Sequence, residues 1–194
     1  EDNTLTIRYH AVTDAATPIN LTNHSYFNLA GSGDVLNHTL RLWAKNFTRA
    51  DENSCPFGTI DPVAGTPMDF TVEKPMGRDI EAEYDQLVWG KGYDHNWCVD
   101  GEAGTLRPAA AAYSPETGIE MDCLTTQPGV QFYTACTTDY EDGKGGMHYL
   151  PYSGLCLETQ HYPDAPNHPN FPTTTLRPGE IYDTTTIYAF RVDA

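Results

Sequence analysis

The chain has 194 residues, 39% of them hydrophobic, enough for a core, and no apolar run is long enough to span a bilayer. Acidic residues number 27 against 11 basic ones, for a formal charge of −16. A surface of that sign repels phosphate backbones, which argues against nucleic-acid binding and, more mildly, against phosphorylated substrates. The acids are dispersed, so solubility is their default role.

Strand signals run along the whole chain. Residues 4–12 alternate, with Leu5, Ile7, Tyr9 and Ala11 on one face. The first segment with a chemical character follows, Asn20-Leu-Thr-Asn-His-Ser-Tyr-Phe-Asn-Leu-Ala-Gly31. His24 lies there among small hydrogen-bonding side chains, between the apolar Leu21 and Phe27. Histidine can give or take a proton near neutral pH, although a histidine in such company is also a common structural residue. Further strands are expected at residues 38–44, 95–99, 107–113, 119–126, 130–135, 154–160 and 184–192. Turn clusters such as Ser114-Pro-Glu-Thr-Gly118 and Arg177-Pro-Gly-Glu180 separate them. Residues 53–79 and 161–172 read as long irregular loops, the kind that carry function in a compact β domain. With 16 glycines, 14 prolines and no helical period, the chain is expected to be all-β, a sandwich or barrel forming a single domain over 1–194.

Three more clusters carry polar groups on strands. In Gly92-Tyr-Asp-His-Asn-Trp97, Asp94 can accept two hydroxyl hydrogen bonds, or simply cap a turn. In Pro128-Gly-Val-Gln-Phe-Tyr133, Gln131 points away from the face of Val130 and Phe132. Its amide both donates and accepts, which suits neighbouring hydroxyls, as an exposed strand Gln also would. In Leu155-Cys-Leu-Glu-Thr-Gln-His161, Glu158 and Gln160 face opposite to Leu155 and Leu157. A carboxylate in so apolar a strand needs a partner or a role, unless that face is exposed.

Other chemistries are weaker. His148, His161 and His168 form no H-x-x-x-H or cysteine cluster, so no metal is expected. Gly143-Lys-Gly-Gly146 lacks the strand-to-helix setting of a phosphate loop, and no serine nucleophile elbow is present. Cys55, Cys98, Cys123, Cys136 and Cys156 are odd in number with no C-x-x-C pair, so reduced thiols and a cytoplasmic location are expected. The sequons at Asn20, Asn23, Asn37 and Asn46 would matter only in a secreted protein.

Five segments together resemble one family. They are Pro18 to Gly31, Pro62-Val-Ala-Gly-Thr-Pro67 with Asp69-Phe70, Gly92-Tyr-Asp-His-Asn96, Gln127-Pro-Gly-Val-Gln-Phe-Tyr-Thr134, and Leu155 to Pro172. In this order, over nearly the whole chain, they resemble the aldose 1-epimerase (galactose mutarotase) family. The resemblance implies a β-supersandwich, here lacking its N-terminal strands. It also implies interconversion of the α and β anomers of free aldohexoses, galactose and glucose first, with no cofactor, metal, nucleic acid or membrane, by a monomer or dimer. Carried over by position, His24 matches the general acid and Glu158 the general base. Asp94 and Gln131 match sugar-binding positions, and Ser25 and Tyr26 flank the acid within the binding segment.

Two departures from the family pattern stand out. The family's chains begin further upstream, and the part not matched here normally carries an arginine and a second histidine that contact the sugar. The chain is therefore expected to be a piece of a longer protein, with that N-terminal part as the partner completing the site. In Thr134-Ala-Cys136, a Gly-Asn pair would be usual after the threonine. The main alternative is a non-catalytic carbohydrate-binding β-sandwich. Glycoside hydrolysis by Asp94 and Glu158 would leave His24 without a role, and the acidic balance disfavours an epimerase of hexose 6-phosphates.

Overall fold

The computed structural model describes residues 2–192. Its elements are β1 (Thr4–Ala11), β2 (Thr17–Pro18), β3 (Thr39–Leu42), β4 (Asn46–Ala50), β5 (Pro56–Pro62), β6 (Lys74–Pro75), α1 (Asp85–Gly90), β7 (Asp94–Cys98), β8 (Arg107–Tyr113), β9 (Ile119–Thr125), β10 (Gly129–Tyr133), β11 (Cys156–Gln160), β12 (Thr175–Leu176) and β13 (Tyr182–Val192), with 3-10 turns at Lys144–Gly146 and Ala165–Asn167. Six strands form one sheet in the order β1-β13-β9-β8-β3-β6. Five form a second, β11-β10-β7-β4-β5, and β12 pairs with β2. Every pairing is antiparallel. Among the described residues no helix is long and apolar enough to cross a membrane.

Side-chain alternation decides what each sheet buries. Val130 and Phe132 of β10, Trp97 of β7, Phe47 of β4 and Leu157 of β11 lie on one face of the five-stranded sheet and are fully buried. They meet Leu40, Leu42, Ala110, Ala112, Met121, Cys123 and Tyr188 of the six-stranded sheet in a single core. The Phe132 ring packs against Phe70 at 5.6 Å and Tyr93 at 5.3 Å. Aromatic pairs of this kind are worth about 0.5–1.5 kcal/mol each beyond the area they bury. Two polar contacts fix the sheets to one another: the Tyr188 hydroxyl donates to the Leu157 carbonyl at 2.6 Å, and the Thr159 and Thr186 hydroxyls bond directly.

The expected strands are present within one or two residues of their predicted ends. Residues 53–79 are a correction, because this stretch contains β5 and β6. Prolines bracket β5 and Gly58 inside it has φ of +83°, so local signals read as turn. β5 is an edge strand, where a missing N–H is tolerated on the open side. The shorter β4, with no clean alternation (both Phe47 and Thr48 are buried), was not expected either. The second expected loop, 161–172, is irregular apart from its 3-10 turn. His168 donates from Nε2 to the Pro56 carbonyl at 3.2 Å and lies over Gly58, where a Cβ would come within 2.5 Å of the ring.

A cationic side chain is buried beside the core. The Lys74 ammonium, 1% exposed, donates to Asp79 Oδ2 at 2.6 Å and to the Pro67 carbonyl at 2.7 Å, and it sits 4.2 Å from the Phe70 ring. Burial lowers the Lys74 pKa, against the opposing pull of Asp79. The hydrogen bond from Lys74 lowers that of Asp79.

Candidate active site

Directly opposed residues of an antiparallel sheet share a face, so the register of the five-stranded sheet lays out a polar surface opposite the core. Glu158 is opposite Gln131, and Gln131 is opposite Asn96. In the next row Cys156 is opposite Tyr133, and Tyr133 is opposite Asp94. On the other side Gln160 is opposite Gly129. Gln160 Nε2 donates to Gln131 Oε1 at 3.1 Å, and Gln131 Nε2 donates to Asp94 Oδ1 at 2.8 Å. This chain of amides orients Gln131 and takes up one oxygen of Asp94. The Tyr162 ring closes one end of the surface: a Cβ on Gly129 would stand 3.0 Å from it and 2.4 Å from Asn96 Oδ1.

His24 closes the other end. Its segment is extended but irregular, and it is pinned at two points to the residues that flank β11. The Asn20 side chain donates to the His161 carbonyl at 3.0 Å and accepts from the His161 N–H at 2.9 Å. Further on, the Phe27 and Leu155 backbones exchange two 2.8 Å hydrogen bonds. Between the pins Asn23 Oδ1 accepts the Ser25 N–H at 3.1 Å, a local turn that asparagine favours. The polar residues around His24 are thus largely fasteners that hold the ring over β11.

The ring is about half exposed, with Nε2 3.5 Å from Glu158 Oε1 and Nδ1 3.4 Å from Cys156 Sγ. Tyr26 lies against it at 5.0 Å between ring centroids and Tyr133 meets it edge-on at 6.0 Å. Glu158, by contrast, is only 8% exposed. Burial raises its pKa, with Asp94 adding to the rise and His24 opposing it. Burial raises that of Asp94 too, against its bond from Gln131 and the pull of His24. Two carboxylates and one imidazole therefore face a shared, partly desolvated surface.

Of the six residues singled out in the sequence, His24, Tyr26 and Glu158 come together directly, and Gln131 and Asp94 continue the same surface. Ser25 instead lines a neighbouring cavity of about 1060 Å³ with Tyr26, Asp34, Tyr140, His148 and Tyr149. That cavity contains neither His24 nor Glu158, so it adjoins the ionisable cluster without containing it. Tyr133, Cys156 and Asn96 were not expected. The period of two from Gln131 and Glu158 pointed to Tyr133 and Cys156, whereas the neighbour of Gln131 on β7 required the strand register. The Thr134-Ala-Cys136 departure has a structural cost: Ala135 sits at φ of +50°, a left-handed conformation that glycine adopts without strain.

Comparison with known proteins gives a consistent result. The family described as aldose 1-epimerase matches residues 1–189. The galactose mutarotase of Homo sapiens is 42% identical over 191 residues, covering 97% of this chain and 54% of that protein. The aldose 1-epimerase of Escherichia coli (strain K12) is 37% identical over 193 residues, covering 98% and 56%. Among solved structures, an aldose epimerase homologue from C. elegans has a TM-score of 0.89 at 31% identity, over 100% of this chain and 57% of its own. A galactose 1-epimerase from Lactobacillus acidophilus has a TM-score of 0.84 at 27% identity, over 100% and 55%. The chain spans about half the length of the curated relatives it matches.

Proposed function

This chain belongs to the aldose 1-epimerase family, and from that premise we propose that the protein carrying it interconverts the α and β anomers of free aldohexoses, galactose and glucose first. The observation that carries the reading is the His24–Glu158 pair, a potential proton donor and a buried carboxylate 3.5 Å apart at the edge of a hydroxyl-binding surface.

Ring opening of a hemiacetal needs a base at the C1 hydroxyl and an acid at the ring oxygen, both in the right protonation state at one pH. The Glu158 carboxylate takes the C1 hydroxyl proton. His24, as imidazolium, gives its proton to the ring oxygen as the C1–O5 bond breaks. The open aldehyde turns about C1–C2 and presents its other face, and the reversed transfers close the ring as the other anomer. Each positioned proton transfer is worth roughly 10²–10⁴-fold. Asp94, with one oxygen held by Gln131, offers the other to a sugar hydroxyl, and the Gln131 amide is aimed by Gln160. Tyr26 and Tyr133, 6.3 Å apart and edge to face, form an aromatic corner for the apolar side of the ring. Ser25 shapes the rim toward the adjoining cavity. The upstream part of the protein supplies the facing wall. The odd cysteine count supports a reducing, cytoplasmic setting.

Polarimetry on freshly dissolved α-galactose tests the reading. The complete protein speeds the drift to equilibrium, and His24→Asn slows it by at least 100-fold. A complete, folded protein that binds galactose but leaves the drift at its spontaneous rate is a carbohydrate-binding module instead.

A further inference from the structure

We propose that His24, Cys156 and Glu158 form a binding site for a thiophilic divalent cation, zinc above all, overlapping the acid–base pair. One donor atom from each residue lies within 4.8 Å of the other two. The donors are an imidazole nitrogen, a thiol sulfur and a carboxylate oxygen, each of a type that ligates zinc, and three protein ligands leave one tetrahedral position open. Zinc bonds of about 2.0–2.3 Å in a tetrahedron put neighbouring donors roughly 3.3–3.8 Å apart, so the donors, now within 4.8 Å of one another, must draw together to bind. Here Cys156 Sγ is 3.4 Å from His24 Nδ1 and Glu158 Oε1 is 3.5 Å from His24 Nε2. The two contacts use different ring nitrogens, so binding requires the imidazole to turn until one nitrogen faces both partners. Its half-exposed position permits that turn.

The surroundings favour a cation. Glu158 and Asp94 share the surface, and the other flank of His24 is aromatic. The Cys156 side chain is buried and faces the same surface as those carboxylates. Binding replaces the S–H bond by a metal–sulfur bond and releases one proton to solvent, so affinity rises with pH. Spacing along the chain hides this cluster, because His24 and Cys156 are 132 positions apart. The ion is no part of the proposed anomer exchange. It occupies the acid and the base at once and excludes the sugar, so its inhibitory effect rests on the reading above, whereas its binding does not.

Cobalt(II) separates the two. Titrated into the complete protein, it should give a near-ultraviolet thiolate-to-cobalt charge-transfer band that zinc abolishes. Cys156→Ser should lose the band, and His24→Asn, altering a half-exposed side chain, should weaken cobalt binding at least tenfold. Zinc should inhibit mutarotation competitively with galactose, with at least tenfold weaker inhibition in Cys156→Ser. Absence of the band in folded wild-type protein, or a band unchanged in Cys156→Ser, overturns the site. If Cys156→Ser fails to fold, unaltered cobalt affinity in His24→Asn overturns it equally. A thiolate band lost in Cys156→Ser, in a protein without mutarotation, upholds the site and removes the proposed activity instead.

Discussion

Replacing Glu158 by Gln separates the chemistry of this site from its contribution to folding. The amide keeps the shape of the carboxylate and removes its charge. Asp94 is no substitute base: it lies on β7, two strands from β11, hence about 10 Å away across the sheet, and Gln131 already occupies one of its oxygens. Turnover of the complete protein should fall by roughly 10²–10⁴-fold, or about 2.7–5.4 kcal/mol of activation free energy at 1.36 kcal/mol per decade. Stability should move the other way. Burial raises the folded-state pKa of Glu158 above its unfolded value, so the folded chain holds the proton more tightly. The wild type then loses stability as pH rises from the unfolded pKa through the folded one, and the loss is complete above that window. The variant has no such penalty. Urea denaturation across pH should show equal stabilities in acid and an advantage for Glu158→Gln that grows through the window and levels off. Turnover within tenfold of wild type, or a variant that loses stability relative to wild type as pH rises, would refute this reasoning.

Other sites give sharper structural tests. Gln131→Ala frees Asp94 from its 2.8 Å donor and removes the proposed hydroxyl partner, so KM for galactose should rise about tenfold while kcat changes less. Loss of one hydrogen bond to a charged group is worth about 1.5–3 kcal/mol, and initial-rate polarimetry distinguishes the two constants. Gly129→Ala puts a methyl 2.4 Å from Asn96 Oδ1 and against the Tyr162 ring; overpacking of this kind costs about 1–3 kcal/mol, readable as a lower urea midpoint with an unchanged slope. Asp79→Asn leaves the Lys74 ammonium buried without an anionic partner and should destabilise by about 3 kcal/mol at neutral pH. Because the folded pKa of Asp79 is depressed, the carboxylate's contribution is present above its unfolded pKa and is lost as pH falls through the folded value. Melts of wild type and Asp79→Asn should converge in acid.

The fold was legible wherever strands bury one face. Leu40, Leu42 and Ala44 alternate in the sequence and are buried in the structure. It was illegible where edge position or mixed burial suspends that rule, as with the proline-bracketed β5 and with β4. The site divides the same way. Glu158 and Gln131 stood out because a polar side chain opposite a hydrophobic alternation needs a reason, and Asp94 because a carboxylate there can accept two hydroxyl hydrogen bonds. What no strand discloses alone is that β11, β10 and β7 are neighbours, so the links from Gln160 to Gln131 to Asp94 required three-dimensional register. Cys156 escaped notice because a small thiol in a strand reads as filler. His24 was visible only as a histidine among hydrogen-bonding residues, and several of those turned out to fasten the loop rather than touch a ligand.

The double fastening of the His24 segment also decides how the site responds to motion. Both pins, Asn20 on His161 and Phe27 on Leu155, attach to the strand that carries Glu158 or to its immediate flanks. His24 and Glu158 are therefore held on one frame. Breathing between the sheets leaves their 3.5 Å separation nearly unchanged. In the proposed anomer exchange, selectivity among sugars would then be set by the surrounding loops, while the proton-transfer pair stays set by a single strand.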